Sequence, residues 1–194
     1  MKSKTINLSK EEQLEYTGLL NVIYWFFAYP EVKTTLSELA KELGIAKKTA
    51  SKIVGDLAKE GFLMVEQIGK AWRIHCNIEH HYNRTVKIGY NLSTVYSSGI
   101  IQEIYKIVGN ARAIVLFGSY RKGDDIGSSD LDIAVEIIGN SDLEIKNIGN
   151  IAQLGFRKNV PVNVHIFTRN KVDLNLFANI ANGIVLDGFL EVRP

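Results

Sequence analysis

The pattern of apolar and polar positions changes character along the chain. Residues 11–29, "EEQLEYTGLLNVIYWFFAY", begin as an amphipathic helix. Ser9 is placed as N-cap, Glu11 and Glu12 lie in the first turn, and Pro30 ends the run. The second half is apolar nearly all round, so it is expected to be buried on more than one side, by the core or by a dimer partner. Thr35 and Glu38 then form a T-x-x-E capping box, followed by a short helix to Leu43 and a turn at Gly44. A second helix is expected over about 46–60, stopped by Gly61. In it Ala50, Ile53, Val54 and Leu57 fall on one face, and Lys47, Lys48, Ser51 and Lys52 on the other. Two short strands, "FLMVEQ" and "AWRIHC", follow across "IGK". Residues 78–108 read as two helices, with Val86, Gly89, Tyr90 and Ser93 as a packing stripe.

From Arg112 the pattern becomes that of buried strands. "RAIVLFG", "LDIAVEI" and "VPVNVHIFT" are expected as strands, and "SDLEIKNIGNIAQLGFRKN" as a helix and connection. "VDLNLFANIANG" reads as a final helix and "IVLDGFLEVRP" as a closing turn or strand. The fold class that follows is α/β (α+β), with helices around a small mixed sheet in the C-terminal part. The expected division is 1–77, a helical connector 78–109, and 110–194.

Composition changes this picture little. The chain has 194 residues, 46% hydrophobic and 23% charged, which suits one large or two small globular domains. Net charge is +2, so bulk charge does not point to nucleic acid; the small excess lies in residues 1–77, with 11 Lys+Arg against 9 Asp+Glu. A single cysteine, Cys76, excludes a disulfide framework within one chain and is read as a small apolar strand residue. The longest apolar stretch, "VIYWFFAY", is far short of the ~20 residues that span a bilayer. The N-terminus lacks the apolar core of a signal peptide. The expectation is a cytoplasmic protein with no membrane association. His75, His80 and His81 lack the cysteine or carboxylate companions of a recognised metal site.

The chemistry lies in "LFGSYRKGDDIGSSDLDIAV". Gly118 lets the backbone turn at the end of a buried strand, and Ser119 opens a helix whose free N–H groups and hydroxyl offer a seat for phosphate. Ten residues later, Asp130 and Asp132 occupy alternate strand positions and so share a face, while Leu131 and Ile133 point to the core. A divalent cation relieves the repulsion between two such carboxylates, and Mg²⁺ takes oxygen ligands while keeping phosphates in its shell. Arg121 and Lys122 read either as triphosphate partners or as part of a solvated loop with Asp124 and Asp125. Arg157 and Lys158 read as surface charge.

Two resemblances follow from these residues. Residues 10–77, and above all "LAKELGIAKKTASKIVGDLAKEGFL", resemble winged helix–turn–helix domains that bind double-stranded DNA. That resemblance implies contacts from Lys47, Lys48, Thr49, Ser51 and Lys52 on the second helix of the motif, and from Lys70 at the short wing; a protein-docking role is the alternative. Phe117-Gly118-Ser119, ten residues, then Asp130-Leu131-Asp132 resembles the nucleotidyltransferase superfamily that includes DNA polymerase β, in particular the minimal nucleotidyltransferases of prokaryotes. Gly123 and Ser129 also suit the latter. This resemblance implies Mg²⁺ or Mn²⁺ at Asp130 and Asp132, and a nucleoside triphosphate seated on Gly118, Ser119, Arg121 and Ser129. It further implies transfer of a nucleotidyl group, AMP from ATP, and a small helical toxin-like protein as a candidate partner. The family's third carboxylate is expected on the third strand, where Asn163 stands; an amide brings neither charge nor basicity. The alternative function is therefore a DNA-binding regulator whose second domain only binds nucleotide. His165, two residues on, is read as a satisfied strand histidine, with a role as base as the alternative.

Overall fold

A computed structural model describes residues 9–69 and 71–192. The chain divides into two compact units, Met1–His80 and His81–Pro194.

In the first unit, α1 (Lys10–Ala28) ends two residues before Pro30, whose ring disfavours helical backbone at Tyr29. Val22, Ile23, Trp25, Phe26, Phe27 and Ala28 are all buried, so this end of the helix is covered on several sides, as its unbroken apolar run requires. After β1 (Thr34–Thr35), α2 (Leu36–Glu42) opens on the expected capping box. Glu38 N donates to Thr35 Oγ1 and Thr35 N donates to Glu38 Oε2. Next, α3 (Lys47–Lys59) buries Ala50, Ile53, Val54 and Leu57. β2 (Leu63–Ile68) and β3 (Ala71–Cys76) form an antiparallel hairpin, and β1 adds to β3 to give the sheet order β1-β3-β2. Cys76 is buried in β3. Phe27 meets Phe62 edge-on at 5.7 Å, tying α1 to the start of the hairpin.

The second unit opens with a 3₁₀ turn (His81–Arg84), α4 (Val86–Ser97) and α5 (Ile100–Val108). The stripe expected on α4 is corrected. Val86, Gly89 and Ser93 are exposed and Tyr90 is half-buried, whereas Lys87, Asn91 and Val95 face inward at i, i+4 and i+8. The inward face meets loop carbonyls, so its first two residues are polar; an apolar periodicity search passes over it.

The remaining elements are β4 (Ala111–Leu116), α6 (Gly118–Lys122), β5 (Leu131–Ile137), β6 (Glu144–Leu154), β7 (Arg157–Phe167), α7 (Leu174–Ala181) and β8 (Ile184–Gly188). They build a mixed five-stranded sheet in the order β6-β7-β5-β4-β8, with β5 and β7 parallel and the other pairs antiparallel. The helix expected over 141–159 is instead β6 and the turn into β7. Its Ile148, Ile151 and Leu154 are three apart, which mimics a helical face. In the strand the register shifts between Asn147 and Asn150, and this shift resets the alternation so that Ile148 and Ile151 both pack on the core, while Leu154 is buried at the turn into β7.

The two faces of the sheet are distinct. Ile114, Leu116, Leu131, Ile133, Val135, Val160, Val162, Val164 and Ile166 pack against α4 and α5 through Val95, Ile100 and Ile104. Ala113, Val115, Phe117, Ala134 and Phe167 pack on the opposite face with Ile180 of α7. Since strand side chains alternate, Asp130, Asp132, Asn163 and His165 fall on the α7 face.

Candidate functional site

The centre of the site is the crossing from β4 into α6. Phe117 N donates to Asp132 O at 3.3 Å, so the turn is pinned beside β5. Gly118 has φ +72°, and a Cβ placed on it would lie 2.8 Å from Asp132 Oδ2. The glycine therefore serves twice. It takes a backbone conformation that L side chains resist, and it leaves room for the Asp132 carboxylate against the turn. Asp130 is exposed and Asp132 half-buried, while Leu131 and Ile133 are buried.

The parallel pairing of β5 and β7 sets Asn163 directly beside Asp132 and His165 beside Ala134. Asn163 Nδ2 donates to Asp130 Oδ2 at 3.0 Å. Its Oδ1 accepts from Asn147 Nδ2 at 3.2 Å. Asn163 thus meets the carboxylate pair with its amide N–H, inside an amide relay from β6. Asn147 was not legible in the sequence, because its segment reads as helix. His165 differs from the expected satisfied strand histidine. Its Nε2 lies 3.4 Å from Asp132 Oδ1, within ion-pair range but outside hydrogen-bond geometry, and both ring nitrogens are buried without a hydrogen-bond partner. Its ring meets that of Phe117 edge-on at 4.9 Å.

The loop between Ser119 and Asp130 is held from below by buried polar groups. Lys87 Nζ donates to Asp125 O at 2.5 Å and lies 3.3 Å from Asp125 Oδ2. Asn91 Nδ2 donates to Asp125 Oδ1 at 2.7 Å and to Tyr120 O at 2.9 Å. Arg157 Nη2 donates to Gly127 O and Ser129 O at 2.9 and 2.7 Å, and its Nη1 to Tyr120 Oη. Lys87, Asp125 and Arg157 are only 1, 2 and 4% exposed. Two sequence readings are corrected here: Asp125 is not a solvated counter-charge and Arg157 is not surface charge. Arg157 is buried because the loop's inward carbonyls need donors, and Asp125 because its carboxylate accepts from Asn91 and pairs with Lys87. Burial raises the Asp125 carboxyl's pKa, with Lys87 and the Asn91 bond opposing the rise. Burial also pushes the Tyr120 hydroxyl up, so it stays protonated. Ser129 Oγ accepts from Ile126 N at 2.9 Å, so its hydroxyl braces the loop. At the start of the loop, a Cβ on Gly123 (φ +78°) would collide with Asn83 O.

A cleft of about 260 Å³ opens beside the turn, lined by Phe117, Gly118, Arg121 and Lys122, by Leu176 and Asn179 of α7 and by Asn182 at its C-cap. Arg121 is half-buried and Lys122 exposed, and the cleft brings both beside Gly118. Among the described residues, no cluster of three or more His, Cys, Asp or Glu side chains stands ready to hold a metal. Two carboxylates on one face, with an amide at the third place, suit a hard divalent cation that brings phosphate oxygens and waters to complete its shell. Asp130 and Asp132 are the residues that would hold such an ion.

In the first unit, Lys47, Lys48 and Lys52 are exposed on α3, and Thr49 and Ser51 are half-buried between them. Lys52 Nζ is engaged by Glu15 of α1, and this hydrogen bond raises the lysine's pKa. Lys48, Thr49 and Lys52 line an open groove of about 500 Å³ with Leu14, Glu15 and Ile45. Lys70 lies outside the described residues. No helix among the described residues is long and apolar enough to cross a membrane.

No curated protein matches the chain. Among solved structures, the chain is similar to the crystal structure of Pseudomonas aeruginosa HmgR, at 12% identity and a TM-score of 0.31. That match covers 77% of this chain and 55% of the other, so this chain spans about half of its length. Residues 100–187, which carry the Gly118 turn, Asp130, Asp132 and Asn163, match the family model described as polymerase beta, nucleotidyltransferase, and the match supports the nucleotidyltransferase superfamily for this stretch.

Proposed function

We propose that the second unit binds a nucleoside triphosphate with Mg²⁺ or Mn²⁺ and transfers its nucleotidyl group, AMP from ATP, to an acceptor nucleophile, whose new bond to the α-phosphorus replaces the one to the departing pyrophosphate. The observation that carries this reading is the placement of Asp132 against the Gly118 turn, with Asp130 on the same face, inside the stretch that matches the nucleotidyltransferase family. In such chemistry a bound cation neutralises the charge of the phosphates at the reacting phosphorus. The protein's own contribution is positional. The Gly118 turn and Ser119 present backbone N–H groups and a hydroxyl to phosphate oxygens. Arg121 and Lys122 add positive charge at the adjoining cleft. The Lys87, Asn91 and Arg157 bonds fix the loop that sets Asp130 relative to the turn. A mass-spectrometric search for nucleotidylated products, with the full chain, ATP and Mg²⁺, tests the proposal. Adducts of AMP mass that vanish in Asp130→Ala/Asp132→Ala support it; consumption of ATP no faster than in that variant overturns it.

A second reading is favoured by one observation. Asn163 donates an N–H to Asp130 and offers no base to an attacking hydroxyl. On this reading the second unit binds nucleotide without transferring it. The first unit, whose helix order and hairpin suit a winged helix, binds double-stranded DNA, and the chain is a nucleotide-responsive regulator. Nucleotide binding of wild-type strength with no product under any acceptor condition decides for it.

A further inference from the structure

We propose that His165 is a positioning residue for Asp132, whose Oδ1 it holds through an Nε2–H hydrogen bond so that Oδ2 faces the Gly118 turn. The inference rests on the metal–nucleotide reading above and adds to it the element that orients one ligand. Asp132 lies between two neighbours. Its Oδ2 occupies the space that a Cβ on Gly118 would fill, and its Oδ1 points to His165 Nε2 at 3.4 Å. His165 is 13% exposed at its side chain and has no hydrogen-bond partner on either nitrogen. A buried polar ring of this kind calls for a partner. The Phe117 ring stands edge-on against the imidazole, at 85° and 4.9 Å, and restricts where it can turn. Ala134, paired with His165 across β5 and β7, has no polar group to offer. Asp132 Oδ1 is the nearby acceptor, and a reorientation of its carboxylate closes the bond. A carboxylate gripped at one oxygen presents the other in a fixed direction, the role that outer hydrogen bonds play around metal ligands.

The test compares full-length wild type, His165→Phe and His165→Gln by calorimetry with ATP, in excess Mn²⁺ and in chelator. The quantity read is the factor by which Mn²⁺ strengthens ATP binding. Phenylalanine keeps a planar aromatic ring and removes the donor, whereas glutamine keeps a donor. His165→Phe is expected to lose about 10–100-fold of the Mn²⁺ enhancement, with affinity in chelator unchanged, and His165→Gln to stay within about threefold of wild type. If His165→Phe does not fold, His165→Leu carries the same comparison. Undiminished enhancement in the apolar variant overturns the positioning role, and so does an equal loss with glutamine or a loss shared with the chelator arm. A wild type whose ATP binding ignores Mn²⁺ overturns the site reading itself, and the role of His165 with it.

Discussion

Gly118→Ala separates the backbone requirement at the turn from the site requirement. At φ +72° an alanine costs roughly 1–2 kcal/mol, because its Cβ crowds the neighbouring carbonyl. Gly99, at φ +75°, opens α5 in the same unit with only Gln102 Oε1 near its Cβ position, at 3.9 Å. Gly99→Ala is therefore the control for strain alone. The two variants are expected to lose similar stability in urea unfolding, since the atom nearest the new methyl at Gly118 is the tip of the Asp132 side chain, which can rotate away. They diverge in binding. A Cβ at 2.8 Å from Asp132 Oδ2 expels that oxygen from the turn. Disturbing the orientation of a metal-holding carboxylate typically costs about 10–100-fold in metal affinity. Gly118→Ala should lose at least about tenfold of its Mg²⁺-dependent ATP affinity, while Gly99→Ala keeps it. Equal ATP affinity in the two variants would refute the claim that the Asp132 carboxylate must sit against the turn.

Arg157→Met removes the donors to Gly127 O, Ser129 O and Tyr120 Oη, and a loss of about 1–3 kcal/mol per stranded acceptor is expected in urea unfolding; a total loss under about 1 kcal/mol would mean that the loop does not depend on this bracket. Asn163→Asp supplies charge and a base at the third position, and any transferase activity should rise by ~10²–10⁴-fold; unchanged turnover with intact binding would place the base elsewhere. In the first unit, Lys52 is tied to Glu15, which leaves Lys47 and Lys48 as the open cations of α3. Anisotropy with labelled duplex should then give a log-affinity against log-salt slope near −2 per protomer, at ~0.9 per phosphate, flattened by Lys47→Ala/Lys48→Ala. No binding at tens of micromolar protein would leave this unit as a protein-docking module.

Legibility in the sequence followed the physics of each segment. The capping box of Thr35 and Glu38, the inward face of α3 and the strand alternation around Asp130 and Asp132 could all be read, because local periodicity and local hydrogen bonding determine them. β6 could not. A shift of register between Asn147 and Asn150 is a relation to β7, and along the chain it leaves only isoleucines three apart. The bracket under the loop was hidden for a different reason. Lys87, Asn91, Asp125 and Arg157 are residue types that usually face water, and only the fold shows that Lys87, Asn91 and Arg157 meet carbonyl or carboxylate oxygens from far along the chain, Asp125 supplying the carboxylate. His165 looked like an ordinary strand residue until the pairing of β7 with β5 brought its Nε2 to 3.4 Å from Asp132 Oδ1.

Calorimetry of ATP binding to the full chain, with and without Mg²⁺, in wild type and in Asp130→Ala/Asp132→Ala, is the decisive measurement for the metal–nucleotide site. Mg²⁺ is expected to strengthen binding in the wild type, and the double variant to lose this enhancement while remaining folded. Equal ATP affinity in the two proteins in the presence of Mg²⁺ would contradict it.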